Sequence, residues 1–209
     1  MLSTKSMRQN IMDLSKFIYH KENAFSDEFC DSLIELFDKK EKENEVSVGS
    51  MMGGVDFDVK NTTEINLYEY PELVNHENFF SIINHHLSNN FLNNLPQRYS
   101  FDANTKLFPG STTYETCQIQ KYKKGEGHYE SWHVEVENLK SAKRTFSMIV
   151  YLNDVEEGGE TGFLYPNIKV KPTKGGLVIF PSAYPFVHCG FKPISHDKYI
   201  IATWLIYTD

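Results

Sequence analysis

The sequence has little cysteine, and its thiols are spaced too widely to build a scaffold. Cys30, Cys117 and Cys189 are an odd number within 209 residues, and no CxxC pair occurs. Disulfide-rich domains and structural zinc sites depend on closely spaced cysteine pairs, so the sequence supports neither class. We interpret the three cysteines as buried free thiols, because unpaired cysteine behaves as a small apolar side chain.

The sequence also lacks long apolar runs and a surplus of positive charge. No stretch approaches the roughly 20 apolar residues of a membrane span. Residues 1–16 are too polar throughout for a signal peptide. The formal net charge of −7 argues against nucleic acid as a partner, because binding phosphate needs an excess of Lys and Arg. We therefore expect a cytoplasmic protein with neither a membrane nor a nucleic acid as partner, in an oligomeric state that the sequence leaves open.

What the sequence does contain is an ordinary globular composition with many aromatic residues. Hydrophobic residues make up 40% and charged residues 23% of the chain, which suits one soluble domain with its own core. The aromatic share of 14% is high and favours half-buried strands. We expect a single domain over residues 1–209, with a helix-rich part at 1–95 and a strand-rich core at about 105–209.

Two helices are predicted in the first part of the chain. Ser26 precedes Asp27 and Glu28, which gives a helix a capping side chain and an acidic first turn. Apolar residues then recur at helical spacing, at Phe29, Leu33, Ile34 and Phe37. This pattern predicts a helix over about Asp27–Lys40, and a second helix is predicted over about Pro71–Asn90. The side of the second helix that would face the sheet carries Leu73, Phe79, Phe80, Ile83 and Leu87.

The segment between these helices, residues 41–63, is first charged and then contains three glycines. We predict a surface loop here, with a short strand near Val55–Val59. A loop of this length inside a small domain is either disordered or a lid over a binding site, and the sequence leaves both alternatives open.

From Tyr114 onward the hydrophobic period changes to two. Strands are predicted at Tyr114–Tyr122, Thr145–Leu152, Leu177–Phe180 and Tyr199–Tyr207. The turn signals between them are Lys124-Gly125, Glu157-Gly158-Gly159, Tyr165-Pro166-Asn167 and Lys174-Gly175-Gly176. Short strands joined by glycine-rich turns, without helices between them, predict a mainly β fold, and a jelly roll fits the strand count.

One group of residues in this β-rich part suits a metal. His133 and Glu135 are two residues apart, so on an extended segment their side chains project from the same side. His188, from a distant strand, would complete a set of two histidines and one carboxylate that leaves open coordination positions on iron(II). A competing pair with the same spacing, His128 and Glu130, lies just upstream. We favour the later pair as the ligand set.

The residues around this group follow an ordered series of motifs. They are Tyr122-Lys-Lys-Gly125, His133-Val-Glu135, Arg144, Tyr151-Leu152-Asn153-Asp154, Gly158-Gly159-Glu160-Thr161-Gly162-Phe163, Pro172-Thr-Lys-Gly175-Gly-Leu-Val-Ile-Phe180, His188 and Lys198. In this order and spacing the sequence resembles the prolyl 4-hydroxylase-like branch of the iron(II)/2-oxoglutarate-dependent dioxygenases. The resemblance covers Tyr122–Trp204, and the helix around Cys30 is also similar to the family's N-terminal helix.

The resemblance implies a fold, cofactors and residue roles. The fold is a double-stranded β-helix with a jelly-roll core, which agrees with the strand pattern. The metal is Fe(2+), 2-oxoglutarate and dioxygen are co-substrates, and ascorbate is a further cofactor the family allows. Lys198 would pair with the distal carboxylate of 2-oxoglutarate, Tyr122 and Tyr151 would face this co-substrate, and Arg144 would face the substrate. The implied substrate is a peptidyl proline in a peptide or protein.

The carboxylate ligand departs from the family pattern, because Glu135 stands where aspartate is usual. This residue keeps a second class of function open, a jelly-roll binding module without turnover. Hydroxylation of another side chain or of a free amino acid also remains open. A zinc-dependent hydrolase or isomerase on the same fold would have no use for Lys198.

Overall fold

The computed structural model describes residues 13–51, 53–71, 79–92 and 111–208. Its strands, in chain order, are β1 Tyr19–Lys21, β2 Ser47–Val48, β3 Thr63–Asn66, β4 Thr112–Tyr122, β5 Tyr129–His133, β6 Arg144–Tyr151, β7 Thr161–Phe163, β8 Ile168–Val170, β9 Leu177–Pro181, β10 His188–Gly190 and β11 Lys198–Tyr207. The four predicted strands correspond to β4, β6, β9 and β11, and their observed ends lie within two residues of the predicted ends.

Two antiparallel sheets organise these strands. The larger sheet has the order β1-β9-β6-β11-β4-β3-β2, and the smaller sheet has the order β5-β10-β7-β8. The central strand β11 pairs with β4 on one side and with β6 on the other. The predicted mainly β fold with a jelly-roll core is confirmed.

The alternation of side chains along the large sheet separates two apolar clusters. On one face Ile119, Met148 and Ile201 pack with helical residues in the main core. On the other face Val178 and Ile200 belong to a second cluster that also contains Phe163 from the small sheet. Because neighbouring residues of a strand point to opposite faces, one sheet contributes to both clusters.

The first helix, α1 at Asp27–Lys42, confirms the predicted helix and extends it by two residues. The Ser26 hydroxyl oxygen accepts a hydrogen bond from the Phe29 N–H at 3.2 Å, as expected for an N-cap. Its buried side chains are Phe29, Cys30, Leu33 and Phe37. The helix therefore covers the main core, and the three cysteines are buried and free, as predicted.

The second predicted helix is partly observed. Helix α2 spans Phe79–His85 and continues as a π-helical segment over His86–Leu92. Phe79, Ile83 and Leu87 are buried, in agreement with the predicted apolar face. Leu73 and the first turns of the predicted helix lie outside the described residues.

The strand predicted near Val55–Val59 is wrong. Strand β2 is earlier, at Ser47–Val48, and pairs with β3. Residues 57–59 form a turn instead, because the Asp56 carbonyl oxygen accepts hydrogen bonds from the N–H groups of Val59 and Lys60. The Asp56 side chain also accepts one from the Asp58 N–H at 3.0 Å. An aspartate that bonds to its own turn competes with strand pairing.

In the described part of the chain no helix has the length and apolar character needed to cross a membrane.

The packing of α1 gives a prediction about stability. Phe37 is fully buried and meets the Tyr199 ring edge-on, with the ring centroids 5.7 Å apart. Phe37→Ala should lower the free energy of unfolding by about 3–5 kcal/mol, because it leaves a cavity in the core. Urea unfolding measures this loss, and Leu139→Ala, at a side chain that is 93% exposed, is the control. Equal unfolding midpoints for the two variants would contradict the packing described here.

Candidate metal centre and co-substrate pocket

A cavity of about 620 Å³ opens between the two sheets. Its floor is the inward face of β4, β6 and β11, and its opposite wall includes residues of β5 and β10. This volume lies within the range of ordinary small-molecule sites. The sequence-predicted residues His133, Glu135, Arg144, His188 and Lys198 all line it.

Pairing in the small sheet brings the two histidines together. His133 ends β5, His188 begins β10, and the two are direct partners in the strand register. Glu135 follows two residues after β5, where its N–H donates to the Ser182 carbonyl oxygen at 2.9 Å. Glu135 Oε1 lies 3.2 Å from His188 Nε2 and 3.6 Å from His133 Nε2. The ligand atoms of the three side chains all lie within 4.8 Å of one another.

The other ring nitrogen of each histidine is engaged by the backbone. His133 Nδ1 lies 2.8 Å from the Ser131 carbonyl oxygen, and His188 Nδ1 lies 3.0 Å from that of Phe186. A carbonyl oxygen can only accept, so each Nδ1 donates its proton, and in a neutral imidazole the Nε2 atom is then a bare acceptor. Two imidazole lone pairs and a carboxylate oxygen therefore converge on one point.

Such a group of acceptors needs protons or a cation between its members. Burial alone would raise the pKa of Glu135, but the neighbouring His133 and His188 outweigh burial and lower this pKa well below its usual range. The pKa of His188 is lowered, first by its burial and then by the neighbouring His133. The carboxylate is therefore ionised, and the buried imidazole of His188 favours its neutral, metal-binding form.

The donor set fits iron(II). Two imidazoles and one carboxylate, all at one side of a cavity, match the ligands that non-haem iron(II) sites use and leave positions open toward the cavity. The backbone carbonyl oxygens behind both rings supply the outer contacts that fix metal-binding histidines in one orientation.

The competing pair His128 and Glu130 lies elsewhere. The backbone of His128 pairs with that of Asn61 through two hydrogen bonds of 2.8 and 3.1 Å. The side chain of the exposed Glu130 accepts a hydrogen bond from the Lys192 N–H at 3.3 Å. The structure thus brings His133 and Glu135, rather than the earlier pair, next to His188.

Lys198 is the second notable group in the cavity. Only 1% of the residue is exposed, and its Nζ atom donates to the Gly159 carbonyl oxygen at 3.0 Å and lies 3.9 Å above the Tyr122 ring. Within the described residues no carboxylate forms an ion pair with it. Burial lowers the pKa of Lys198 to about 7, and the nearby Glu160 opposes this shift. A buried ammonium without a counterion is costly, so this position favours an anionic ligand.

The two tyrosines differ in their relation to the cavity. Tyr122 lines it, and its hydroxyl donates to Gln120 Oε1 at 3.2 Å. Burial, followed by the proximity of Glu64, raises the pKa of Tyr122 well above its usual value. The Tyr151 hydroxyl donates to Thr161 Oγ1 at 2.7 Å, and Thr161 lines the cavity. Tyr122 is therefore part of the cavity wall. Tyr151 is not, and its hydrogen bond holds the wall residue Thr161.

Arg144 lies at the other side of the metal-site residues. Its Nε donates to Glu115 Oε2 at 2.6 Å, its Nη1 donates to Glu135 Oε2 at 3.2 Å, and its guanidinium lies 4.1 Å above the Trp204 ring. Sequence reasoning missed Glu115 and gave Trp204 no role. The signal that could have revealed Glu115 is the run of polar residues on β4, where Glu115, Gln118 and Gln120 all line the cavity.

The loop at residues 41–63 contributes one wall of the cavity through Ser50, Met51 and Lys60. Lys60 forms a buried ion pair with Glu64, with Nζ and Oε1 2.6 Å apart. Its Nζ also lies 5.5 Å from the centre of the Tyr129 ring. Of the two alternatives for this loop, the described residues agree with a segment that covers a binding site.

The fold and the group of candidate metal ligands are together typical of one class of protein. A double-stranded β-helix that carries two histidines and a carboxylate at one side of its interior is typical of non-haem iron(II) oxygenases. The sequence profile of the 2OG-Fe(II) oxygenase superfamily matches residues 117–206, a range that includes His133, Glu135, His188 and Lys198 but neither Glu115 nor the 41–63 loop.

Curated relatives agree with this class. The chain is 28% identical over 116 residues to a probable prolyl 4-hydroxylase of Arabidopsis thaliana. This match covers 44% of this chain and 40% of that protein. It is also 28% identical over 105 residues to the prolyl 4-hydroxylase subunit alpha-3 of Rattus norvegicus, over 44% of this chain and 19% of that subunit. The matched region thus spans less than half the length of these relatives.

Solved structures agree on the fold. A prolyl 4-hydroxylase of Pseudomonas putida superposes with a TM-score of 0.63 at 17% identity, over 93% of this chain and 95% of that chain. A Trichoplax adhaerens prolyl hydroxylase in complex with a hypoxia inducible factor peptide fragment superposes with a TM-score of 0.69 at 15% identity. This superposition covers 92% of this chain and 84% of that chain. These structures show the fold alone. The profile match and the curated relatives confirm the predicted resemblance to the prolyl 4-hydroxylase-like branch of the iron(II)/2-oxoglutarate-dependent dioxygenases.

The two neighbouring His-x-Glu pairs give a direct test. His133→Ala, Glu135→Ala and His188→Ala should each abolish Fe(II) binding, because each removes one of three converging ligand atoms. His128→Ala and Glu130→Ala should leave Fe(II) binding intact and serve as matched controls. Anaerobic calorimetric titration with Fe(II) measures the difference. Loss of iron in His128→Ala together with retention in His133→Ala would show that the ligand assignment is wrong.

Proposed function

We propose that this protein is an iron(II)- and 2-oxoglutarate-dependent oxygenase that hydroxylates an unactivated C–H bond. The proposal is carried by one observation, the presence of two features in the same cavity. The first is a group of two histidines and a glutamate whose facing atoms are all acceptors, and the second is a buried lysine that has no carboxylate partner among the described residues. The first suits a divalent cation and the second suits an anionic co-substrate. The similarity to prolyl 4-hydroxylases supports this combination.

The overall reaction converts 2-oxoglutarate and dioxygen to succinate and carbon dioxide while one oxygen atom enters the substrate as a hydroxyl group. Iron(II), when bound, supplies the dioxygen chemistry that no side chain can perform. His133, Glu135 and His188 would hold the metal, with Glu135 as the only anionic ligand of the three. Two sheets enclose much of the cavity, and partial withdrawal from solvent strengthens electrostatic interactions between the groups that line it.

Lys198 would bind the distal carboxylate of 2-oxoglutarate. Its ammonium already lies in the cavity, and a charge-assisted hydrogen bond to a carboxylate contributes about 1.5–3 kcal/mol. The hydroxyls of Tyr122 and Thr161 line the same part of the wall and can orient the co-substrate. The free-energy cost of burying the Lys198 ammonium would thus be offset when the dianion binds.

We further propose a peptidyl proline as the substrate. Two observations support this choice of substrate. The curated relatives are named prolyl 4-hydroxylases, and the structure of the Trichoplax enzyme contains a peptide fragment. The test is incubation of the protein with Fe(II), 2-oxoglutarate and a panel of proline-containing peptides, followed by mass spectrometry. Hydroxylated proline with stoichiometric succinate supports the proposal. Hydroxylation only of other residues or of a free amino acid would overturn the substrate and retain the oxygenase. Binding of 2-oxoglutarate without succinate would indicate a binding module.

Replacing Lys198 tests the co-substrate site. Lys198→Ala should raise the apparent KM for 2-oxoglutarate by a large factor, because losing one partner of a buried charge pair costs about 2–5 kcal/mol. Lys198→Arg should recover only part of the affinity, since a planar guanidinium has a different shape and donor geometry. Succinate release as a function of 2-oxoglutarate concentration measures both effects, and Fe(II) binding should be unchanged. Equal KM values for the three proteins would exclude Lys198 from the site.

The pKa of Lys198 predicts a pH dependence of the same binding step. Burial lowers the pKa of this amine to about 7 in the free protein, and binding of a dianion favours the protonated form. The affinity for 2-oxoglutarate should therefore be constant below pH 7 and fall as the pH rises above 7, by up to about tenfold per pH unit. Calorimetry across pH 6–9 in buffers of different ionisation enthalpy should detect proton uptake on binding. In Lys198→Arg, whose side chain stays charged, the affinity should not follow this trend.

A further inference from the structure

The two oxygens of the Glu135 carboxylate have different partners. Oε1 faces both imidazoles, at 3.2 Å from His188 Nε2 and 3.6 Å from His133 Nε2. Oε2 points the other way and accepts a hydrogen bond from Arg144 Nη1 at 3.2 Å. The same Arg144 nitrogen lies 3.4 Å from the Glu135 backbone carbonyl oxygen. Arg144 therefore contacts this residue at both its side chain and its backbone, on the side away from the histidines.

The guanidinium of Arg144 is itself fixed from two further directions. Its Nε donates to Glu115 Oε2 at 2.6 Å, and its plane lies over the indole of Trp204, 4.1 Å from the ring centre. The side chains of Arg144 and Glu115 are 15% and 25% exposed, so this pair is partly withdrawn from solvent. A guanidinium that bonds two carboxylates and stacks on an aromatic ring has little freedom to rotate.

We propose that Arg144 is a positioning residue for the carboxylate ligand, and that Glu115 and Trp204 hold Arg144 in place. The proposal rests on the proposed metal site. By holding Oε2, Arg144 would direct Oε1 alone toward the metal, so that Glu135 binds through one oxygen and leaves the remaining positions to 2-oxoglutarate and dioxygen. The resemblance implies that Arg144 faces the substrate, and the contacts to Glu135 add a positioning role to that expectation.

The length of the glutamate side chain is consistent with this role. An aspartate at position 135 is shorter by one methylene, about 1.5 Å of reach. From the same backbone position we expect its carboxylate to lie farther from the histidine nitrogens, from Arg144, or from both. The backbone of Glu135 is held by its hydrogen bond to the Ser182 carbonyl oxygen, so the chain cannot easily move to compensate. The unusual glutamate and the arginine behind it thus form one unit.

A second reading makes the opposite prediction. If Arg144 instead competes with the metal for the Glu135 carboxylate, its removal should tighten metal binding. If Arg144 positions Oε1, its removal should weaken metal binding. The sign of one measured change therefore separates the two readings.

The experiment measures Co(II) affinity by calorimetry under anaerobic conditions, without 2-oxoglutarate or substrate. Arg144→Gln should bind Co(II) about 10–100-fold more weakly than the wild type, the usual effect of removing an outer contact of a metal ligand. Lys174→Gln is the matched control, because Lys174 forms an ion pair with Asp31 in which both side chains are partly exposed. This control removes one paired cation of the same charge outside the cavity lining and should leave Co(II) affinity unchanged.

Two further variants keep the test decisive if Arg144→Gln does not fold. Glu115→Gln leaves the arginine in place but weakens its anchor, and should reduce Co(II) affinity by a smaller factor than Arg144→Gln. In Glu135→Asp the shorter side chain should no longer reach Arg144. Adding Glu115→Gln to this variant should therefore leave its Co(II) affinity unchanged. The visible absorption of bound Co(II) should change between wild type and Glu115→Gln, since the ligand geometry changes.

The outcomes distinguish this inference from the proposed function. Failure of the wild-type protein to bind Co(II) would overturn the metal site and, with it, the proposed function. A wild type that binds Co(II), with unchanged or tighter binding in both Arg144→Gln and Glu115→Gln, would overturn only the positioning role.

Discussion

The convergence of three acceptor atoms, two imidazole nitrogens and one carboxylate oxygen, is the constraint on which the rest of this structure depends. Each histidine donates its Nδ1 proton to a backbone carbonyl oxygen behind it, and this leaves a bare Nε2 lone pair on each ring, with the two Nε2 atoms 3.6 and 3.2 Å from Glu135 Oε1. Acceptors repel one another in a buried space, so an apolar core would not tolerate this arrangement without a compensating charge. The surrounding elements hold it in place. Pairing of β5 with β10 fixes the histidines, and a hydrogen bond to Ser182 fixes the glutamate backbone.

Lys198 and Arg144, two cationic side chains that line the cavity, differ in how their charges are compensated. On one side the ammonium of Lys198 is buried against the Tyr122 ring, and on the other side the guanidinium of Arg144 lies between two carboxylates and an indole. The two cations are not equivalent. Arg144 is already neutralised, whereas Lys198 has no carboxylate partner in the described residues. This asymmetry gives the cavity one end that suits an anion and another that is internally satisfied.

The sequence predicted the β-rich half of this structure better than the helical half, for physical reasons. The strands β4, β6, β9 and β11 are long or apolar enough for their period to be read directly, and α1 has a capping serine. The strand predicted near Val55–Val59 failed because the Asp56 carbonyl and side chain bond to the turn, which the apolar residues do not reveal.

For the site, motif spacing selected His133, Glu135, His188 and Lys198, all of which the structure places in one cavity. The partners of these residues were out of reach of that reasoning. Glu115 lies 29 positions before Arg144 in the chain, and only the arrangement of strands in the large sheet brings the two side chains together. A side chain whose role consists of holding another side chain has no motif of its own.

The central strand β11 has a consequence for how this protein can change. Lys198, Ile200, Ala202 and Trp204 all line the cavity, so the inward-facing row of this strand runs from the buried ammonium of Lys198 to the indole under Arg144, over about 20 Å at 3.3 Å per residue. The intervening residues Tyr199 and Ile201, and Leu205 beyond Trp204, belong to the main core. Insertion or deletion of a single residue would exchange the two rows and place apolar side chains in the cavity and the lysine in the core. The placement of both rows of side chains therefore depends on the number of residues in β11. We expect the protein to tolerate substitutions in this strand better than insertions or deletions.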